Sequence, residues 1–207
     1  NLGVPIAMER LNANTPQYFN SLVAYDAIGA RNTTDQKARE YASGTSSPVG
    51  FKNTPDGNIE NAVQAVVSAN GPHAFLGMGL NGLPNQIDTA GNELAHVILR
   101  GGREGPNYDA PHVEKTVRLL ESRGLLKVLG IDLSHANSGK VAKQQIEVAM
   151  AVAEQIAAGQ RAIGVVMIES NVVPGAQKLS KLQQGEELTY GQSVTDECSG
   201  LEDTDLM

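Results

Sequence analysis

The sequence has little cysteine and no long apolar run. Its single cysteine, Cys198, excludes an internal disulfide framework and is typical of a reducing compartment. No uninterrupted apolar stretch approaches the ~18–20 residues that a membrane helix needs, and no charged and apolar leader opens the chain. We therefore expect a cytoplasmic protein that has no membrane partner.

Positive charge is also scarce. The 207 residues include 16 basic and 23 acidic side chains, for a formal net charge of −7. This balance supplies no broad positive field for phosphate backbones, so we expect no nucleic-acid partner. Hydrophobic residues at 41% and charged residues at 19% exclude a disordered tail and predict a globular core. The length suits one domain over residues 1–207. We expect it to be cut at both ends, because Asn1 is not methionine and the last six residues resemble an uncompleted helix.

Short apolar runs alternate with segments that have helical spacing. The predicted strands are Pro5–Arg10, Ala27–Ala30, Val49–Phe51, Ala74–Met78, His96–Leu99, Val128–Leu133 and Ala162–Ile168. The predicted helices are Pro16–Ala24, Asp35–Ala42, Ile59–Ser68, His112–Arg123 and Gly139–Ala158. Unbroken apolar strands that alternate with helices favour a parallel sheet buried on both faces.

One region departs from this alternation. Between Ala74 and Leu99, the Asn81-Gly82 step is a turn signal, and Ile87 can pair back onto the preceding strand. These features predict a β-hairpin inserted in one strand–helix unit. The polar segment Lys178–Glu187 is predicted to be a surface loop.

Charged or metal-competent residues follow nearly every predicted strand, and this pattern decides between two α/β folds. These residues are Glu9, Arg31, Lys52, Arg100, His135 and Glu169. A (β/α)₈ TIM barrel gathers the C-terminal ends of its strands into one mouth, whereas an open sheet spreads them along an edge. The pattern favours the barrel.

Three of these residues are cations beside small residues. Arg31 follows Gly29-Ala30, Lys52 follows Gly50-Phe51, and Arg100 precedes Gly101-Gly102. Any one of them alone is most simply a surface cation or half of an ion pair. Three cations that face one cavity would repel each other unless an anion joined them, which points to a phosphate- or carboxylate-bearing substrate.

A second group combines imidazole and carboxylate. His135, Glu169 and Asp196 follow successive predicted units and form a reasonable divalent-metal site. The alternative stays open from spacing alone: His135 hydrogen-bonds a strand, Glu169 pairs with a cation, and Asp196 caps a helix. Asp132, inside a strand, is predicted to be a buried hydrogen-bonding partner, and Cys198 a free buried thiol.

At these residues the sequence resembles the type I 3-deoxy-D-arabino-heptulosonate 7-phosphate (DAHP) synthases. The matching stretches run in family order over nearly the whole chain. They are Gly29-Ala30-Arg31, Pro48-Val49-Gly50-Phe51-Lys52-Asn53, His96-Val97-Ile98-Leu99-Arg100-Gly101-Gly102, Ser134-His135-Ala136-Asn137-Ser138, Met167-Ile168-Glu169-Ser170 and Tyr190-Gly191-Gln192-Ser193-Val194-Thr195-Asp196.

The resemblance implies a metal-dependent condensation of phosphoenolpyruvate with erythrose 4-phosphate, the first step of aromatic amino-acid synthesis. By the family pattern, Arg31, Lys52 and Arg100 bind phosphoenolpyruvate, and Glu9 and Ala30 line its pocket. His135, Glu169 and Asp196 match three of four ligands of a divalent ion (Mn, Fe, Co or Zn), and Lys52 and His135 are the expected catalytic residues. Family members are usually homo-oligomers.

The sequence also departs from the family pattern. The fourth ligand, a cysteine on the first barrel strand, and a Lys-Pro-Arg-Thr stretch on the second strand are not present. We expect the third to eighth strands of an incomplete barrel, inactive or poorly folded by itself. Leu201 stands where the family has tryptophan, and Pro174 where glutamate is common.

Two other functions remain open at this point. A sister synthase would condense phosphoenolpyruvate with another sugar phosphate, such as arabinose 5-phosphate. A non-catalytic barrel would keep the pocket only for binding. Many family members are inhibited by an aromatic amino acid near the hairpin, and Ser46, Phe75 and Gly77 fall in that region.

Overall fold

The secondary structure alternates between strands and helices. A computed structural model describes residues 3–12, 18, 20–79 and 81–207. The strands are β1 Ala7–Glu9, β2 Tyr25–Ile28, β3 Val49–Lys52, β4 Ala74–Met78, β5 Pro84–Asp88, β6 His96–Leu99, β7 Leu129–Asp132, β8 Ile163–Met167, β9 Val173–Ala176 and β10 Gln192–Ser193. The helices are α1 Gln36–Ser43, α2 Ile59–Asn70, α3 Ala110–Ser122, α4 Gln144–Ala157, α5 Ser180–Gln183 and α6 Leu201–Asp205, and Asn20–Leu22 forms a 3-10 turn.

The main sheet contains six parallel strands in the order β1-β2-β3-β6-β7-β8. Five neighbouring pairs are therefore all parallel, and helices connect most of them, as parallel pairing requires. The mixed α/β class and the six predicted strands of the main sheet are confirmed. Among the described residues, β1 and β8 are the edges of this sheet.

Alternate residues of the central strands face opposite sides. In β3, Val49 and Phe51 join the apolar core under the helices, whereas a Cβ on Gly50 would meet Ile98 and Tyr25 on the other side. Strand residues alternate in this way because the pleat has a period of two. The core is completed by helix residues, among them Ala62, Val66, Val113, Leu120, Val148 and Val152. The opposite side is left free to carry polar groups.

The sheet is curled rather than flat. In a flat sheet of six strands, five intervals of about 4.8 Å would separate the edge strands by roughly 24 Å. Yet Glu9 at the end of β1 lines the same cavity as His135, beyond β7, and Asp196, beyond β10. The curvature brings the C-terminal ends of the strands together.

The predicted hairpin is present. Strands β4 and β5 pair antiparallel, with Phe75 opposite Ile87, and the Thr89 amide donates to the His73 carbonyl at 2.9 Å. Gly82 in the connecting turn has a φ of +74°, which glycine adopts without steric cost.

Most predicted elements differ from the observed ones by a residue or more at their ends, and two of these differences have a clear physical cause. The strand predicted at Ala27–Ala30 is β2, which begins at Tyr25. Its charged residue Asp26 is fully buried because it pairs with Arg10 and accepts a hydrogen bond from Ser47 Oγ at 2.7 Å. The helix predicted from Gly139 begins at Gln144, since the preceding residues form turns.

Two predictions outside the main sheet also need comment. The segment Lys178–Glu187, predicted as a loop, contains the one-turn helix α5. Of the helix predicted at Pro16–Ala24, residues 16, 17 and 19 lie outside the described residues, and Asn20–Leu22 is a 3-10 turn. Among the described residues, no helix combines the length and apolarity needed to cross a bilayer.

Candidate active site

A cavity of about 680 Å³ lies at the C-terminal ends of the strands. Seven of the residues selected from the sequence line it. They are Glu9, Ala30, Arg31, Lys52, Arg100, His135 and Asp196. Glu169, the remaining selected residue, is not part of the lining but contacts His135. The curled sheet thus brings together all the residues that the sequence predicted to meet.

The burial and pairing of the cations in this cavity are consistent with binding of an anion. Lys52 is only 5% exposed, and its Nζ lies 3.2 Å from Oδ2 of the fully buried Asp132. Burial lowers the pKa of Arg100, with Asp132 raising it and Arg31 lowering it further. The Arg100 Nε atom is buried with no hydrogen-bond partner among the described residues. An unpaired guanidinium nitrogen beside other cations is suited to a phosphate or carboxylate.

His135, Glu169 and Asp196 form the only group of three or more potential metal-ligating side chains found among the described residues. Their ligand atoms all lie within 4.8 Å of one another, and His135 Nε2 is 3.3 Å from Glu169 Oε1. Two ligands about 2.1 Å from one ion lie roughly 3.0–3.4 Å apart. The His135–Glu169 distance and the nitrogen–oxygen donor set therefore fit one divalent ion.

The environment of Glu169 also fits cation binding. Burial raises the pKa of Glu169, and the nearby His135 partly offsets this rise while Asp132 adds to it. A bound cation would stabilise the ionised carboxylate that burial disfavours. Cys198 lies outside the group of three, and burial raises the pKa of its thiol, which disfavours the thiolate that binds metals.

The backbone at His135 is held in an uncommon conformation. Its φ of +49° lies in the left-handed region, which costs a non-glycine residue about 1–2 kcal/mol. The turn is closed by the Lys140 amide, which donates to the His135 carbonyl at 2.7 Å. The His135 Nδ1 atom lies 2.7 Å from Asp132 Oδ2, although the angles do not meet hydrogen-bond geometry. Asp132 is thus the shared anionic neighbour of Lys52 and His135.

Three buried asparagines connect the ends of β3, β6 and β7. Asn53 Oδ1 accepts from the backbone N–H of Arg100 at 2.8 Å and from Asn107 Nδ2 at 3.1 Å. Asn53 Nδ2 donates to the Gly101 carbonyl at 2.9 Å. Asn137 Oδ1 accepts from the Asn107 amide at 2.8 Å. Asn137 Nδ2 donates to the Asp132 carbonyl at 2.8 Å. This asparagine chain fixes the backbone at Arg100, Gly101 and Asp132.

Sequence reasoning did not assign a role to the asparagine chain or to Lys140. Lys140 Nζ lies 3.3 Å from Asp196 Oδ1, with both side chains about half exposed. A signal did exist for the asparagines, because Asn53 and Asn137 each lie next to, or two residues from, a selected residue. Buried amides at strand ends commonly bind backbone groups that the sheet leaves unpaired.

A second groove lies beside the hairpin. It encloses about 410 Å³ and is lined by residues that include Phe75, Gly77 and Tyr41. Ser46, which was grouped with Phe75 and Gly77 from the sequence, is not part of this lining.

Comparisons with known proteins agree with this geometry. The family model described as "DAHP synthetase I family" matches residues 1–207. A phospho-2-dehydro-3-deoxyheptonate aldolase of Corynebacterium glutamicum is 49% identical over 208 residues, covering 99% of this chain and 56% of the relative. The Phe-sensitive aldolase of the same name from Escherichia coli K12 is 48% identical over 205 residues, covering 99% of this chain and 57% of that protein.

A solved structure gives the same result. The phospho-2-dehydro-3-deoxyheptonate aldolase of Francisella tularensis SCHU S4 superposes with a TM-score of 0.93 at 45% identity, covering 99% of this chain and 58% of that one. The chain therefore spans a little over half the length of these relatives. Because the family model extends over every residue and the relatives match nearly all of the chain, the chain belongs to the DAHP synthetase I family.

Proposed function

We propose that this chain supplies the phosphate-binding and metal-binding parts of a DAHP synthase. The reaction joins phosphoenolpyruvate, erythrose 4-phosphate and water to give DAHP and inorganic phosphate. The names of the relatives support this reaction. The observation that carries the proposal is the convergence of three cations on one cavity with His135 and Asp196, two members of the His/Glu/Asp group.

We further propose that the chain belongs to a single catalytic domain with a (β/α)₈ barrel. Its six curled parallel strands would be the third to eighth strands of that barrel. The strand order and the common mouth support this proposal. They agree with a barrel because its strands run parallel in sequence order around the axis.

Arg31, Lys52 and Arg100 would bind the phosphate and carboxylate of phosphoenolpyruvate. The Asp132 carboxylate, 3.2 Å from Lys52 Nζ, holds the lysine side chain in place through an ion pair. The same fixed cations stabilise the charge that develops on the departing phosphate. Glu9 and Ala30 lie in the cavity wall, where they limit the space beside the anion.

Gly29 leaves room for the Glu9 side chain in the cavity wall. A Cβ on Gly29 would collide with Glu9 Oε1, so a larger residue there would displace the Glu9 carboxylate.

His135, Glu169 and Asp196 would hold the divalent ion. A divalent ion bound there would supply Lewis acidity toward the aldehyde of erythrose 4-phosphate. His135 would present Nε2 to the ion, while Nδ1 stays 2.7 Å from the Asp132 carboxylate on the other side of the ring.

The proposal is tested by substrate consumption and product identification in the intact protein. We expect Arg100→Gln to lose a charge-assisted contact of about 1.5–3 kcal/mol, which raises the KM for phosphoenolpyruvate roughly 10- to 150-fold. Arg118 is the control, because it is exposed on α3 and pairs only with Glu114 at 3.5 Å. Arg118→Gln should leave the KM unchanged.

Metal removal and product analysis separate the remaining alternatives. We expect chelation to abolish turnover and added divalent ion to restore it. Formation of product from arabinose 5-phosphate but not from erythrose 4-phosphate would favour the sister synthase. Binding of phosphoenolpyruvate with no metal-dependent turnover would favour the non-catalytic barrel.

A further inference from the structure

Gln145 is a buried polar residue in the second position of α4. Its exposed fraction is 0%, and the other buried residues of this helix, Val148 and Val152, are apolar. Burying a primary amide without hydrogen bonds costs about 1–3 kcal/mol. The hydrogen-bond partners of Gln145 must therefore offset the cost of burying its amide among the apolar residues of this helix face.

Both halves of the Gln145 amide bind the backbone of Glu169. Gln145 Oε1 accepts from the Glu169 N–H at 2.9 Å, and Gln145 Nε2 donates to the Glu169 carbonyl at 3.0 Å. The orientation of the amide is fixed, because a backbone N–H can only donate and so requires the oxygen. One side chain thus holds both polar groups of the main chain at Glu169.

Gln145 also contacts the segment that follows Asp196. Its Nε2 donates to Ser199 Oγ at 3.1 Å. Ser199 in turn donates from Oγ to the Ala142 carbonyl at 3.2 Å and from its N–H to the Glu169 carbonyl at 2.9 Å. Ser199 is fully buried. The amide therefore connects the backbone of Glu169 with a residue three positions after Asp196.

The segment that carries His135 is continuous with helix α4. The turn that carries His135 leads directly into Ala142 and Gln145, so both residues lie on the polypeptide that positions the imidazole. Gln145 is consequently the point where the segments bearing His135, Glu169 and Asp196 are hydrogen-bonded to one another. None of its bonds involves a ligand side chain, so it acts on the site only through the backbone.

We propose that Gln145 is a positioning residue that sets the spacing of Glu169 and Asp196 relative to His135. This inference rests on the metal site of the proposed function. Loss of the amide would leave the Glu169 N–H without its partner and remove one of the hydrogen-bonded connections between this backbone and Ser199. The affinity for the divalent ion would decrease, because binding of the ion would then have to order each ligand segment.

The test compares two glutamines of the same helix. Gln145→Met keeps the size and apolar contacts of the side chain but removes its hydrogen bonds. Gln155→Met is the matched control, because Gln155 Nε2 donates to the Tyr108 and Ala151 carbonyls at 2.9 and 3.3 Å, away from the ligand segments. Metal-free intact protein is titrated with Mn²⁺ by calorimetry, and urea unfolding of each metal-free protein is measured in parallel.

We expect Gln145→Met to weaken Mn²⁺ binding about 10- to 100-fold, the usual effect of removing a group that orients metal ligands. Gln155→Met should destabilise the metal-free protein but leave the Mn²⁺ affinity unchanged. Ser199→Ala removes one of the contacts and should weaken Mn²⁺ binding to a smaller extent. It also keeps the test decisive if Gln145→Met does not fold.

Three results would overturn the inference. Equal Mn²⁺ affinity of the wild type, Gln145→Met and Ser199→Ala would refute the positioning role while leaving the metal site intact. Equal weakening by Gln155→Met would show that general loss of helix stability is the cause. Failure of the wild type to bind Mn²⁺ or any other divalent ion would refute the metal site itself, and with it this inference.

Discussion

Replacing Asn53 with alanine would remove the end of the asparagine chain that connects β3 with β6. Asn53 is fully buried. The substitution leaves the Arg100 amide, the Gly101 carbonyl and the Asn107 side chain without the partners they have at 2.8, 2.9 and 3.1 Å. Each buried group left unpaired costs about 1–3 kcal/mol. Three such groups give a loss of roughly 3 kcal/mol or more in the free energy of unfolding.

Water limits this loss only in part. The deleted amide leaves space comparable to one water molecule, which takes about 30 Å³ in the liquid. One water can replace some of the hydrogen bonds but cannot reproduce the rigid planar geometry of the amide. We therefore expect Asn53→Ala to lose about 3–5 kcal/mol.

Urea unfolding of the intact protein measures this effect. Asn85→Ala is the control, because Asn85 is exposed on the hairpin and its side chain donates to Asn81 Oδ1 at 3.3 Å. Its effect should stay within about 0.5 kcal/mol. Asn107→Ala, alone and combined with Asn53→Ala, should show coupling of about 1 kcal/mol. A loss below about 1 kcal/mol for Asn53→Ala would refute the reasoning, since it would mean that the chain of amides is not needed by its partners.

Two further predictions concern stability. Gly101→Ala should lower the free energy of unfolding by about 2 kcal/mol more than Gly124→Ala. Both glycines have left-handed backbones (φ +73° and +66°), but only a Cβ on Gly101 would meet the Ala136 backbone, at 2.7 Å. Equal losses in urea unfolding would contradict this. Burial lowers the pKa of His96 from its ordinary value of 6.5, so below that pH the unfolded chain binds a proton more readily and stability falls. The His96→Gln variant, which cannot titrate, should lose less stability on acidification, and parallel pH profiles of the two proteins would refute the assignment.

Much of the fold was predictable because the buried strands are continuous apolar runs. The segment from Val49 to Phe51 reads as a strand with no competing helical period, and the structure places it in the centre of the sheet. The hairpin was predictable because Asn81-Gly82 is a specific turn signal. The start of α4 was not predictable, because helical periodicity continues back into residues whose hydrogen bonds close local turns around His135 instead.

The side chains of the candidate site were easier to select than the residues that hold them. Arg31, Lys52 and Arg100 are recognisable because each comes at the end of an apolar strand, and a barrel brings the C-terminal ends of its strands to one mouth. Gln145 gave a weaker signal, since a glutamine in a helix is usually exposed, and only its place in line with Val148 and Val152 suggests burial. Its role depends on contacts with Glu169 and Ser199, which are 24 and 54 residues away in the sequence.

The alternation along β3 has a consequence for how such a protein can change over generations. Phe51 packs under the helices, and its neighbour Lys52 lies in the cavity wall. A mutation at Phe51 is selected mainly for its effect on folding, whereas a mutation at Lys52 is selected mainly for its effect on what the cavity binds. New specificity can therefore arise one residue at a time without first weakening the scaffold that has to carry it.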